Sequence, residues 1–224
     1  AVAIGEYLGQ LLGSSTTAGS FSFGEDADIA IDNSGGADDG TVYVAGGGGG
    51  GQVFAFGSDG NFKWQTAAME EPCGVAVDST GAPYVNNYQG GIQQLKASDG
   101  TAEGSPFLSG KRACHFDFNA TGKILLNLWG GNVYRYDRNG TEEAVIDTGV
   151  ASSDVAVDRV ESSVFDVPGF IVRVHDEAGN LLATVGQGTI SNAIGVAVDA
   201  SSKRVFVSDP HASPEVIRPY GFAP

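Results

Sequence analysis

A short apolar run that closes on Asp or Asn recurs five times along the chain. The copies are DIAID (28–32), GVAVD (74–78), HFDFN (115–119), DVAVD (154–158) and GVAVD (195–199). Their closing residues are 46, 41, 39 and 41 residues apart: Asp32, Asp78, Asn119, Asp158 and Asp199. A period of about 40 residues is typical of the four-stranded blade of a β-propeller and exceeds the TPR, ankyrin and leucine-rich periods. The sequence therefore predicts an array of β-blades.

Each repeat has the same internal order of elements. After the inner run comes a polar turn, a second strand, a loop with Gly or Pro, a third alternating strand, and a turn into an outer strand. The 34 glycines favour tight turns between short strands. The sequence thus predicts an all-β, single-domain propeller over residues 1–224. Its five repeats lie near 28–66, 74–108, 115–149, 154–186 and 195–221.

The last repeat lacks an outer strand, because the chain ends at Pro224 soon after its third strand. The segment 2–15, VAIGEYLGQLLGSS, resembles the third and fourth strands of a repeat. We expect it to supply the missing strand and close the ring, as propellers do to protect sheet edges. Segment 2–15 is long enough for two strands, whereas the last repeat lacks only one. The surplus is an irregular lead-in, part of a sixth blade, or a strand that pairs with another copy of the chain.

Charge and hydropathy exclude two classes of partner. The net charge of −15 repels phosphate backbones, so a nucleic-acid partner is not expected. No apolar stretch is long enough for a membrane span. The chain begins AVAIGEY without Met, which favours prior removal of a signal peptide, a propeptide or an upstream domain, or a start at the first ordered residue.

Two segments, PCGVAVDSTGAPYVNNYQGGIQQLKASDG and AIGVAVDASSKRVFVSDPHASPEVIRPYG, resemble NHL-type propeller repeats. The resemblance covers nearly the whole chain and implies the propeller fold, but little about activity. NHL propellers most often have six blades, whereas five inner strands are counted here. The family also places Asp or Asn after the second strand. Asn86, Asn127, Asp166 and Asp209 fit that position, and the first repeat has only glycines there.

Polar side chains at the start of the inner strands are the first candidates for a site. Asp28, His115 and Asp154 occupy this position in three repeats, and Gly74 and Gly195 occupy it in the other two. We expect the three side chains to surround one mouth of the central channel. They could ligate a divalent metal such as Ca²⁺ or Zn²⁺, or be solvated groups that cap the backbone. The second interpretation is favoured, because few His residues converge and no cofactor is expected.

Asp117 is a fourth candidate, because it replaces the Ala found at this strand position in the other repeats. A carboxylate at a tight blade contact must be paired or neutralised. We expect its partner to be Arg112 or a water molecule. A catalytic role for Asp117 would need an accessible cleft beside it.

Cys73 and Cys114 each lie one residue before an inner strand, in consecutive repeats. Equivalent positions of adjacent blades converge near the axis, which favours a disulfide and an oxidising compartment; two buried free thiols are the alternative. Asn119 and Asn139 begin N-x-T sequons in predicted turns and are candidate glycosylation sites.

These features favour a secreted or cell-surface propeller that acts as a non-catalytic scaffold. Its partner would be a protein, a glycan or another copy of itself, and strand exchange between copies would build a fibre. The alternative function is that of a metal-dependent lyase or lactone hydrolase. Its site would be the channel mouth, with Asp28, His115, Asp154 and Asp117 as the working side chains.

Overall fold

The computed structural model describes residues 10–21, 23–24, 26–147 and 152–222. Their only regular helix is a one-turn 3-10 helix at Gly13–Ser15, and the remaining regular elements are nineteen strands. No helix in these ranges is long and apolar enough to cross a membrane. The all-β prediction is confirmed.

The strands form five antiparallel sheets, each built from consecutive strands. Blade 1 contains β1 (Asp28–Ile31), β2 (Val42–Ala45), β3 (Val53–Phe56) and β4 (Phe62–Gln65). Blade 2 contains β5 (Pro72–Val77), β6 (Pro83–Asn87), β7 (Gly91–Leu95) and β8 (Ala102–Phe107). Blade 3 contains β9 (Ala113–Phe118), β10 (Ile124–Leu128), β11 (Val133–Tyr136) and β12 (Glu142–Asp147). Blade 4 contains β13 (Val155–Asp158), β14 (Ser163–Asp166), β15 (Val172–Asp176) and β16 (Leu181–Val185). Blade 5 contains β17 (Gly195–Asp199), β18 (Arg204–Asp209) and β19 (Val216–Gly221).

The first strand of each blade packs beside the first strand of the next, from β1 to β5, β9, β13 and β17. This order places the five recurrent apolar runs side by side around an axis. The molecule is therefore a five-bladed β-propeller, as the repeat period predicts.

The residue that closes each inner strand forms the turn to the second strand. In every blade its side-chain oxygen accepts the backbone N–H two residues further on: Ser34 for Asp32, Thr80 for Asp78, Thr121 for Asn119, Val160 for Asp158 and Ser201 for Asp199. Short polar side chains stabilise turns in this way. Their recurrence is thus explained by local structure.

Apolar side chains fill four of the junctions between blades. Trp64 of blade 1 packs with Val77 of blade 2, and Ile92 of blade 2 packs with Phe116 of blade 3. Further clusters join blade 3 to blade 4 and blade 4 to blade 5. The core is therefore distributed between neighbouring sheets, as in other repeat proteins.

The junction between blade 5 and blade 1, called here the seam, is different. No buried apolar cluster joins the described residues of these two blades. Ile29 and Ile31 on one side are 61% and 50% exposed, and Ile217 of β19 is 72% exposed on the other. These side chains lie on sheet faces that would meet a neighbouring blade in a fully packed ring.

The segment expected to close the ring is only partly described. Residues 2–9 lie outside the described residues, and Gln10–Ser15 contains the 3-10 turn and no strand. Leu11 and Phe21 pack on Phe54 and Phe56 of blade 1. Blade 5 has three strands among the described residues, with β19 outermost, and the predicted pairing of residues 2–9 beside it lies outside the described residues.

Candidate functional site

His115 lies between two carboxylates at the channel mouth. Its Nδ1 is 3.5 Å from Oδ1 of Asp154 and 3.9 Å from Oδ2 of Asp28. The three side chains come from blades 3, 4 and 1, and each is a quarter exposed or less. The structure therefore brings together three of the four residues predicted to surround the mouth.

Both oxygens of each carboxylate already have backbone donors. In Asp28 and Asp154, Oδ1 accepts the N–H of the following residue at 2.7 Å. Oδ2 of Asp28 accepts the N–H of Val75 in blade 2 at 2.9 Å, and Oδ2 of Asp154 accepts the N–H of Val196 in blade 5 at 2.8 Å. Each aspartate thus links the inner strands of two blades.

Electrostatics make His115 a cation near neutral pH. Burial opposes the charged ring, but the carboxylates of Asp154 and Asp28 outweigh it and raise the pKa of His115 to about 9. Burial raises the pKa of Asp154 to about 6, against the attraction of His115. An imidazolium has no free lone pair, so the ring of His115 must lose its proton before it accepts another proton or ligates a metal.

A cavity of about 570 Å³ opens above this cluster. Polar side chains of Asn127, Ser152 and Ser208 line it, together with the apolar side chains of Ile194 and Trp129. Trp129 is 62% exposed and contacts the ring edge of Tyr88, with centroids 6.4 Å apart. An exposed aromatic ring beside hydroxyl and amide groups is suited to binding a polar ligand that has an apolar face.

Asp117 lies apart from this cavity and is paired differently from the expectation. Its Oδ1 is 2.9 Å from Nη2 of Arg159, and its Oδ2 accepts the N–H of Val157 in blade 4 at 2.9 Å. Burial raises the pKa of Asp117, although Arg159 opposes the shift. The prediction of Arg112 as partner is wrong, because Nε of Arg112 donates to the hydroxyl of Tyr88 at 3.0 Å.

Cys73 and Cys114 form a disulfide between blades 2 and 3, with Cα atoms 5.0 Å apart. The disulfide prediction is confirmed over the alternative of free thiols. The two backbones are very close here, since a Cβ added to Gly74 would lie 1.9 Å from the carbonyl oxygen of Cys114. Nδ2 of Asn86 also donates to the carbonyl of Ala113 at 3.0 Å.

The two sequons differ in access. Asn119 is fully buried, and its Oδ1 accepts the N–H groups of Thr121 and Lys123, so the fold leaves no room for a glycan there. Its prediction as a glycosylation site is wrong, because a turn position does not imply an exposed side chain. Asn139 is exposed in the turn between β11 and β12, where glycosylation stays a prediction.

Sequence reasoning missed Trp129 and Arg159. Trp129 lies in the glycine-flanked loop after β10, and an isolated Trp in such a loop was the available signal. Arg159 follows DVAVD and reaches Asp117 from the next blade, a contact between repeats that no local pattern indicates. His175 does not join His115; it is buried beside Asp166. His211 is exposed in the loop after β18.

Comparisons with known proteins agree on the fold. The chain matches a crystal structure of a protein of unknown function from Bacteroides caccae at a TM-score of 0.61 and 12% identity, over 81% of this chain and 69% of that one. It also matches hydrazine synthase from Kuenenia stuttgartiensis at a TM-score of 0.61 and 14% identity, over 93% of this chain but only 59% of the other. No protein-family model and no curated protein matches the sequence. At these identities the likeness shows the propeller fold alone.

Proposed function

We propose that this chain is a non-catalytic scaffold: an NHL-like propeller, secreted or held at the cell surface, that binds a protein or glycan ligand or other copies of itself. The observation that carries the proposal is the state of the channel-mouth carboxylates. All four oxygens of Asp28 and Asp154 accept backbone N–H bonds, and two of these bonds join neighbouring blades. The carboxylates that most resemble part of a catalytic or metal site are thus used to hold neighbouring blades together.

The disulfide supports the proposed location. Structural disulfides persist in oxidising compartments and are rare in the cytosol of mesophiles. Cys73 and Cys114 are 0% and 4% exposed, so their disulfide is buried in the fold, as a structural disulfide is. A secreted or surface-exposed protein would retain it.

The cavity above His115 is the proposed ligand surface for a glycan or a peptide. Trp129 offers a ring face for stacking, Oδ1 of Asn127 offers an unmatched acceptor, and Ser208 offers a hydroxyl group. A Trp129→Ala variant should lose binding on a glycan or peptide array, whereas Phe170→Ala, at a comparably exposed aromatic in another loop, should retain it. Equal binding by both variants would remove this surface from the proposal.

Self-assembly is the second form of the proposed function. β19 has an unpaired edge among the described residues, and the seam exposes Ile29, Ile31 and Ile217. Unpaired edges and exposed apolar patches favour pairing with another chain. A strand from a neighbouring copy that adds to β19 would repeat head to tail and build a fibre.

Sedimentation over a wide range of protein concentration tests this assembly. Ile217→Lys should reduce the assembled fraction because it places a charge beside the free edge. Val160→Lys is the matched control, because Val160 is 73% exposed in a turn of blade 4. A protein that remains monomeric at every concentration would refute assembly and leave the ligand-binding proposal intact.

The alternative function is a metal-dependent lyase or lactone hydrolase at the channel mouth. The convergence of His115 with Asp28 and Asp154 beside a cavity of about 570 Å³ favours it. The raised pKa of His115 and the occupied carboxylate oxygens weigh against it. Loss of a bound metal or of lactonase activity in His115→Gln would favour the enzyme over the scaffold.

A further inference from the structure

A second cluster of titratable groups lies between blades 3 and 4, and the sequence patterns did not predict it. Asp147 ends β12 of blade 3, Asp166 ends β14 of blade 4, and His175 lies in β15. One potential ligand atom from each lies within 4.8 Å of the others. The three residues are 5%, 0% and 3% exposed, so the cluster is almost fully removed from water.

The polar atoms of this cluster are poorly satisfied. Oδ1 of Asp166 lies 3.0 Å from Nε2 of His175, whereas Oδ2 of Asp166 has no hydrogen-bond partner. The corresponding residues of blades 2 and 3, Asn86 and Asn127, each donate to a backbone carbonyl of the next blade. An unmatched oxygen on a buried carboxylate is costly, so Oδ2 of Asp166 is open to a further ligand.

We propose that Asp147, Asp166 and His175 bind a divalent transition-metal ion of the Zn²⁺ class and thereby fasten blade 3 to blade 4. One imidazole nitrogen with two carboxylate oxygens is a donor set that suits Zn²⁺ and its first-row neighbours. It does not suit Ca²⁺, which takes six to eight oxygen ligands.

Arg173 is the group that competes with this ion. Its Nη1 donates to both oxygens of Asp147, at 2.8 and 2.6 Å. A carboxylate has about four lone-pair sites, so Asp147 can serve Arg173 and a metal together.

The experiment starts from the whole protein after treatment with a chelator. Titration with zinc chloride should show one ion bound per chain and a raised melting temperature. In the unmodified protein, the ring-nitrogen NMR signals of one histidine should shift, and those of the other two should stay in place. This measurement needs no variant and so does not depend on a substitution that unfolds the chain.

Variants then identify the histidine. His175→Gln and Asp166→Asn should weaken zinc binding by at least about a hundredfold. His211→Gln, at an exposed loop position, and His115→Gln, at the channel mouth, should keep it. Absence of stoichiometric zinc binding would overturn the proposal, and so would binding that survives His175→Gln or that is lost in His115→Gln.

Discussion

The four packed junctions and the seam show how this chain specifies contact between blades. Each packed junction combines an apolar cluster with a hydrogen-bonded or disulfide link between inner strands. The links are Asp28 to Val75, the disulfide, Asp117 to Val157 and Asp154 to Val196. The seam has neither component among the described residues.

Part of the difference between the packed junctions and the seam lies at the first residue of the inner strand. Asp28 and Asp154 start their inner strands with a carboxylate that reaches the next blade, whereas Gly195 starts β17 without a side chain. A Cβ added to Gly195 would meet the hydroxyl of Ser208 in its own blade at 2.7 Å and Oδ2 of Asp154 in blade 4 at 3.7 Å. Similar repeats therefore give unequal junctions, and the predictions below test that inequality.

The largest effect is expected at the junction of blades 2 and 3. The disulfide closes a loop across a sequence separation of 41 residues. Replacing both Cys73 and Cys114 with Ser should lower the free energy of unfolding by about 4 kcal/mol, because the unfolded chain regains the entropy of that loop. Urea denaturation measures the change. A reductant should destabilise the wild type to a similar extent and leave the variant unchanged.

Replacing Gly with Ala at the first residue of an inner strand tests one position of the repeat in a packed junction and at the seam. Gly74→Ala should cost about 3 kcal/mol or more, since the new carbon would overlap the carbonyl oxygen of Cys114. Gly195→Ala should cost less than about 1 kcal/mol, because only the hydroxyl of Ser208 must move. Thermal unfolding of both variants makes the comparison. Equal losses would show that blade 1 packs against β17 after all.

Truncating an apolar side chain should likewise destabilise a packed junction more than the seam. Val205 is fully buried between blades 4 and 5, so Val205→Ala should cost about 2 kcal/mol of unfolding free energy. Ile217 of the seam is 72% exposed, and Ile217→Ser should change it by less than about 0.5 kcal/mol in the monomer. Denaturation must be done at dilutions where the protein is monomeric. A large loss at Ile217 there would indicate that the seam is covered within one chain.

The smallest effect depends on pH. Because the pKa of His115 is raised to about 9 in the fold, its interaction with Asp28 and Asp154 stabilises the protein near pH 6.5 and is lost as the pH rises through 9. Solvent screening reduces the stabilisation to about 1–2 kcal/mol. His115→Gln should remove this pH dependence. The ring signals of His115 in an NMR titration give the pKa directly, and a value near 6.5 would contradict the prediction.

The sequence predicted the parts of the fold that repeat. The period, the inner runs, the turn aspartates and the disulfide all follow from positions that recur in each unit. Contacts that occur once were not predictable in this way. Arg159 reaches Asp117 across 42 residues, and the cluster of Asp147, Asp166 and His175 joins three strands of two blades. Likewise, the burial of Asn119 depends on packing around its turn, which the sequon does not show.

The seam also determines how the molecule should come apart. Among the residues that the structure describes, blades 2, 3 and 4 have packed neighbours on both sides, whereas blades 1 and 5 have a packed blade on one side only. In a linear row of repeats the terminal units open first, since each loses a single interface. Backbone amides of β18 should therefore exchange with deuterium sooner than those of β10, so that unfolding begins at the two ends and reaches the central blades last.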